Sequence, residues 1–145
     1  MIVLYADTSA VVGAYLADEP DHTTLASLLF DGADAVVTSE LTRVEFASAT
    51  AAAARAGRLN RAGELRDRFD LDCGEDGPVS LLRLDATEAL PIARDLVGRH
   101  RLRTLDALHL AVALTAAQAL ADDVVMLTRD VRQSCAAREL GLAVR

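Results

Sequence analysis

The sequence contains no lysine: all its basic residues are arginine. That absence removes whole classes of chemistry. A Walker A loop needs its lysine beside the phosphates, and Schiff-base catalysis needs an amine. Phosphatases of the haloacid-dehalogenase type and response-regulator receivers are likewise expected to use a lysine. Tryptophan is also missing and aromatics are only 3% of the chain, so the core must be aliphatic, built from Leu, Val and many Ala. The two cysteines, Cys73 and Cys135, form neither a CxxC nor a Cys/His metal pattern. They read as free thiols in a reducing compartment, and the expected location is the cytoplasm. No apolar run reaches about 18 residues, so no membrane span is expected. The N-terminal MIVLYADTSAVVGAYL is too interrupted for a signal peptide and lacks a basic leader. The 145 residues fit one domain, 1–145. A chain of this length buries roughly 68–70% of the surface exposed when unfolded, so it needs no staple.

Strand and helix signals alternate. The continuous apolar run Ile2–Ala6 reads as a strand covered on both faces. Asp7, Thr8 and Ser9 offer cap chemistry for a helix to about Ala17, closed by Pro20. A second helix is expected over Asp21–Phe30 and a short strand over Ala35–Thr38. Ser39 is the expected cap of a helix to Arg55, stopped by Gly57, and Asn60 that of a charged helix to Phe69. Asp70–Pro78 reads as an acidic loop and Val79–Leu84 as a strand. Asp85 and Glu88 make a capping-box pattern. Pro91 conflicts with it, so the helix either kinks there or begins later, with Pro91 in its first turn. An apolar helix follows over Thr104–Ala121, then a strand over Val124–Leu127, a helix over Asp130–Leu140 ended by Gly141, and a last strand over Leu142–Val144. The alternation predicts an α/β fold in three layers: a mostly parallel sheet of four to five strands flanked by helices.

In open parallel sheets ligands bind beyond the carboxyl ends of the strands. Asp7 and Asp130 follow strands at that end, Asp106 lies in the first turn of the helix leading to the fourth strand, and Glu45 is one turn inside its own helix. Each has a plain structural reading. Asp7 and Asp130 can be helix caps, Asp106 a complement to a helix N-terminus, and Glu45 a solvated charge. The spacing argues for more. Glu45 shares a face with Leu41, Ala49 and Ala52, and Asp106 with His109, Leu110 and Ala113. A carboxylate on a core-like face needs a partner or a cation. Two carboxylates about 4 Å apart repel by about 4 kcal/mol at an effective dielectric of about 20. Several in one cleft therefore call for divalent metal or protonation. His109, on an apolar helix, reads as a core histidine rather than a general base. The acidic Asp70–Pro78 stretch around Cys73 lacks a complete calcium-loop pattern and reads as solvated.

The strings YADTSAVV, LTRVEFASA, RTLDALHLAVAL and LTRDVRQSCAARELGL occur in that order along nearly the whole chain. With them the sequence resembles PIN domains, and among these the VapC-like toxins. The resemblance implies a metal site of Asp7, Glu45, Asp106 and Asp130, supported by Ser9 and Thr128. It implies Mg²⁺, with Mn²⁺ as a substitute, held mainly by Asp7 and Asp106, with Glu45 and Asp130 binding directly or through water. The implied activity is hydrolysis of RNA phosphodiester bonds, leaving 5′-phosphate and 3′-hydroxyl ends. The implied partners are RNA, a small cognate DNA-binding antitoxin and a second copy of the chain in a homodimer, with no membrane. A net charge of −7 is unusual for an RNA binder. Arg101, Arg103 and Arg129, beside the acids, are the candidate phosphate contacts, with solvated charge as the alternative. Leu25, Leu28, Leu29 and Phe46 are candidates for a groove that receives the antitoxin, with ordinary core as the alternative. Two other readings remain: a PIN nuclease of RNA processing outside toxin–antitoxin systems, and a non-catalytic α/β binding module.

Overall fold

A computed structural model describes all 145 residues. The chain runs β1 (Ile2–Ala6), α1 (Thr8–Tyr15), α2 (His22–Ala26), a π-helical turn (Ser27–Asp31), β2 (Ala35–Ser39), α3 (Leu41–Arg55), α4 (Ala62–Asp72), β3 (Val79–Leu82), α5 (Ala86–His100), α6 (Thr104–Ala119), β4 (Asp123–Leu127), α7 (Val131–Glu139) and β5 (Ala143–Val144). The five strands form one sheet in the order β3-β2-β1-β4-β5, and every pairing is parallel. The expected three-layer α/β architecture is what the chain adopts.

Strand alternation divides the core in two. Val3, Tyr5, Val37, Val124 and Met126 face α5, α6 and α7. Leu4, Ala6, Val36, Val125 and Leu127 face the other layer, where Leu25, Phe46 and Phe69 are buried. Both faces of β1 are therefore covered, as its unbroken apolar run requires. Helix α6 is buried from Ala107 through Ala113, and its alanines let it lie close against its neighbours. At Gly13 a Cβ would come within 2.4 Å of Leu25 Cδ1, so any larger residue there would displace the buried Leu25 side chain between α1 and α2. No helix is long and apolar enough to cross a membrane.

Several elements depart from expectation at their ends. The second helix is shorter than expected: after Ala26 it changes to a π-helical turn, and Asp21 before it takes a left-handed conformation (φ 61°). Ser39 ends β2 and accepts from Leu41 N at 3.2 Å, so α3 begins two residues after it. Helix α4 is preceded by Arg61 rather than Asn60 and continues past Phe69 to Asp72. Asp72 is buried and takes hydrogen bonds from Tyr15 Oη (2.6 Å) and Arg68 Nε (3.1 Å), which hold that last turn. The expected acidic loop thus loses its first three residues to helix. Helix α5 begins at Ala86, capped by Asp85 accepting from Thr87 N at 2.9 Å. Pro91 lies inside it on the exposed face, where water can satisfy the carbonyl that its missing N–H leaves free. The third strand stops at Leu82, two residues early.

Candidate active site

The strand order reverses at β1, with β2 and β3 to one side and β4 and β5 to the other. A crevice opens beyond the carboxyl ends of the strands at such a point. Ala6 and Leu127 are in register, so Asp7 and Thr128 leave the sheet side by side, with Asp7 N donating to Leu127 O at 3.1 Å.

Asp7 is only 2% exposed. Its Oδ1 accepts from Ser9 Oγ (2.6 Å) and from Ala10 N (2.9 Å), the latter capping α1, and its Oδ2 accepts from the Thr128 hydroxyl. Burial raises the Asp7 pKa above the ordinary carboxylate value, and these hydrogen bonds oppose the rise. Ser9 and Thr128 also accept from Arg129 N (2.8 Å) and Asp130 N (3.0 Å), tying Asp7 to the loop that follows β4. Asp130 caps α7 through Oδ1 and Gln133 N (2.8 Å). The cap readings of Asp7 and Asp130 are thus correct locally, and each carboxylate still faces the crevice end of the sheet.

Asp106 and Asp130 share one guanidinium. Arg103 reaches Asp106 Oδ2 with Nε at 3.1 Å and Asp130 Oδ2 with Nη2 at 3.3 Å. The Gln133 amide donates to the Asp106 carbonyl at 2.9 Å and locks the start of α7 to α6. Glu45 accepts from Thr8 Oγ1 (2.9 Å) and pairs with His109 Nε2 (2.5 Å). His109 is 1% exposed, and its Nδ1 lies 2.9 Å from the Tyr5 hydroxyl. Burial, with the charges of Asp7 and Glu45, pushes the Tyr5 hydroxyl well above its usual pKa, so it stays protonated and can donate to Nδ1. That pairing favours a proton on Nε2, facing Glu45. Burial pushes the Glu45 pKa up, but the His109 contact and the Thr8 hydrogen bond outweigh it and leave the pKa below the ordinary value.

Residues 4–139 match the PIN domain family. The chain belongs to that family. Over 143 residues it is 34% identical to Ribonuclease VapC47 of Mycobacterium tuberculosis (strain CDC 1551 / Oshkosh), covering 96% of this chain and 93% of the relative. Its fold is similar to that of Mycobacterium tuberculosis VapC20, a sarcin-ricin-loop-cleaving toxin, with a TM-score of 0.69 at 20% identity, covering 92% of this chain and 94% of that one. It is also similar to a chain of Rickettsia felis VapBC2 bound to a promoter DNA fragment, with a TM-score of 0.63 at 11% identity, covering 100% and 98% of the two chains.

Within this PIN domain Asp7, Asp106 and Asp130 join one network of contacts through Ser9, Thr128 and Arg103, while Glu45 belongs to a second with Thr8, His109 and Tyr5, tied to the first by the backbone between Asp7 and Thr8. The side chains as placed do not close three metal-binding groups around a single point. The donors are nevertheless of the kind a hard divalent cation takes, carboxylate oxygens. A cation's charge already sits between two of them, in Arg103. Arg129 is turned away to Asp21 (3.1 Å), and Arg101 occupies a left-handed position (φ 52°) between α5 and α6.

Two expectations need correction. Glu45 lies at the edge of α3's buried face, which is formed by Thr42, Phe46, Thr50 and Ala53; Ala52 is exposed. Leu25 and Leu29 are sealed in the core and Leu28 packs against it, so the four residues together do not form a groove. Phe46 instead lies under an open apolar groove of about 730 Å³ between α3, α4 and the β3 edge, lined also by Leu41, Val44, Leu82 and Leu84 and by none of the four acids. Sequence reasoning also missed Thr8, Tyr5 and Gln133. Thr8 sits inside the YADTSAVV string but was read only as cap chemistry, not as a partner of Glu45 and His109.

Proposed function

We propose that this PIN domain is a metal-dependent endoribonuclease that acts in the cytoplasm as the toxin of a toxin–antitoxin pair. The observation that carries the reading is Asp7, Asp106 and Asp130 linked through Thr128 and Arg103 beyond the carboxyl ends of β1 and β4, with Glu45 held nearby through Thr8, in a chain 34% identical to a VapC ribonuclease. Asp7 and Asp106 are assigned as the principal Mg²⁺ ligands, with Glu45 and Asp130 binding directly or through water. When bound, such an ion polarises a phosphodiester oxygen and lowers the pKa of a water. The chain does the rest. Ser9, Thr128 and the α1 N-terminus hold Asp7 in place, His109 and Thr8 hold Glu45 ionised, and Arg101 and Arg103 offer charge to RNA phosphates, whereas Arg129 is taken up by Asp21. Structural neighbours include VapBC complexes, which supports a small DNA-binding antitoxin as partner. A toxin homodimer bridging antitoxins is the proposed assembly.

The test is expression of the chain alone and with the small gene beside its own, followed by RNA-end mapping and affinity purification. Expected are growth arrest, Mg²⁺-dependent cleavage abolished by EDTA, and rescue by a co-purifying partner. A saturating cation at 100 times its dissociation constant stabilises the native state by about 2.7 kcal/mol. That shift should vanish in the Asp7→Asn, Asp106→Asn double mutant. Full cleavage by the double mutant overturns the nuclease site, and a neighbour that neither binds nor protects overturns the toxin reading alone.

A further inference from the structure

Arg103 occupies the extended residue before α6 (φ −70°, ψ 159°) and spans from Asp106, in the first turn of α6, to Asp130, the cap of α7. No other basic side chain pairs with either carboxylate. The arginine side chain is 70% exposed, whereas the two carboxylates are 17% and 22% exposed. An exposed arm therefore reaches inward over two shielded acids. The planar guanidinium can serve two carboxylates at once, which a lysine ammonium does poorly. An ion pair with so exposed an arm is easily exchanged for water.

We propose that Arg103 is a resident counter-ion of the Asp106–Asp130 pair, displaced when a divalent cation enters and then free to meet an RNA phosphate. The proposal rests on the metal-dependent nuclease reading. Without a cation, Arg103 offsets the repulsion between the two acids. Cation entry must break both of its ion pairs, so the arginine weakens metal binding to the free protein. Once released, the same guanidinium adds a phosphate contact that exists only in the loaded site. Metal and RNA then strengthen each other's binding, and by linkage the factor is the same in both directions.

The test is calorimetric titration of Mn²⁺ into RNA-free wild type, Arg103→Gln and Arg132→Gln. Arg132 is exposed and near the site but touches none of the four acids, so it controls for net charge. Arg103→Gln should bind Mn²⁺ about three- to tenfold more tightly, the range expected for losing weak surface ion pairs, and Arg132→Gln less than twofold more tightly. In wild type the Arg103 Nε–H resonance should shift towards that of a solvated arginine as Mg²⁺ is added. With an RNA carrying non-cleavable linkages, Mn²⁺ should raise affinity more for wild type than for Arg103→Gln. Unchanged or weaker Mn²⁺ binding by Arg103→Gln, or an Nε–H resonance indifferent to Mg²⁺, overturns this proposal and leaves the nuclease reading standing. Absence of Mn²⁺ binding in every protein overturns both.

Discussion

Replacing Asp7 separates charge from hydrogen bonding. Asp7→Asn and Asp7→Ala remove the same buried charge, but only alanine also removes the acceptor. Asn caps helices about as well as Asp, so its Oδ1 keeps the bonds from Ser9 and Ala10 and loses only the one from Thr128. Alanine forfeits the cap, worth about 1 kcal/mol, and leaves buried hydroxyls short of an acceptor at about 1–3 kcal/mol each. Ser9 and Thr128, 3.4 Å apart, can recover part of that by turning to each other. Asp7→Ala should therefore be less stable than Asp7→Asn by about 2–4 kcal/mol. For a chain of this size that is about 5–15 °C in Tm.

The comparison with wild type depends on pH, measured in EDTA. Burial raises the native pKa of Asp7, so the native state holds this proton more tightly than the unfolded chain, where the pKa is about 3.9. The associated stability is fully present below that value and is lost as pH rises through the native pKa. Asn has no such loss. The difference between Asp7→Asn and wild type should move in favour of Asn from about pH 4 upward and then level off, leaving the two within about 1 kcal/mol at pH 7. RNA cleavage by Asp7→Asn should fall about 100-fold or more. Coincident melting of the Asn and Ala variants would refute the hydrogen-bond account, and wild-type cleavage by the folded Asn variant would refute the site.

Tyr5→Phe strips His109 Nδ1 of its hydrogen bond in a fully buried setting. Urea unfolding should show a loss of about 1–3 kcal/mol, and an unchanged midpoint would mean that the Tyr5–His109 contact is incidental. Burial pushes the Cys73 thiol up to about 11, while Cys135 is exposed. Iodoacetamide at pH 8 should therefore label Cys135 first by mass spectrometry, with Cys73 following only after denaturation.

The fold was legible because its signals were of the kind a sequence carries well. An apolar run covered on both faces, period-3.6 helices and glycine stops depend on nearby residues alone. The errors came where a distant partner overrides local preference. Asp72 looked like loop until Tyr15, 57 positions away in sequence, held it in helix. The positions of the acids were readable from motif order and from their place after strands. Their partners were not. Thr8 meets Glu45 and His109 across 37 and 101 residues, and no local pattern encodes that. His109 was correctly read as buried, but its pairing with Glu45 gives it a role that burial alone does not suggest. Of the groove expected from Leu25, Leu28, Leu29 and Phe46, the three leucines failed for the opposite reason. Apolar spacing on a helix marks a face that is covered, and cannot say whether the cover is the chain's own sheet or another protein.

The acidic balance of the chain is reconciled with a polyanionic substrate by where its arginines are held. Arg43, Arg58, Arg68, Arg129 and Arg145 are tied to carboxylates on the surface or at the edge of the core. Their positive charge is largely neutralised in place and adds little long-range attraction for RNA. Arg103 differs, because its carboxylate partners belong to the proposed metal site. If a divalent cation takes over those two carboxylates, local charge rises by the ion's own charge, and the guanidinium previously matched to acids becomes free to turn to a phosphate. A cleft that is strongly negative when empty thereby becomes less negative, and gains a free guanidinium, only when it is ready to cut. A lysine-free chain has the better cation for this exchange, since a planar fork can bridge two carboxylates from one position and later present the same face to a phosphate.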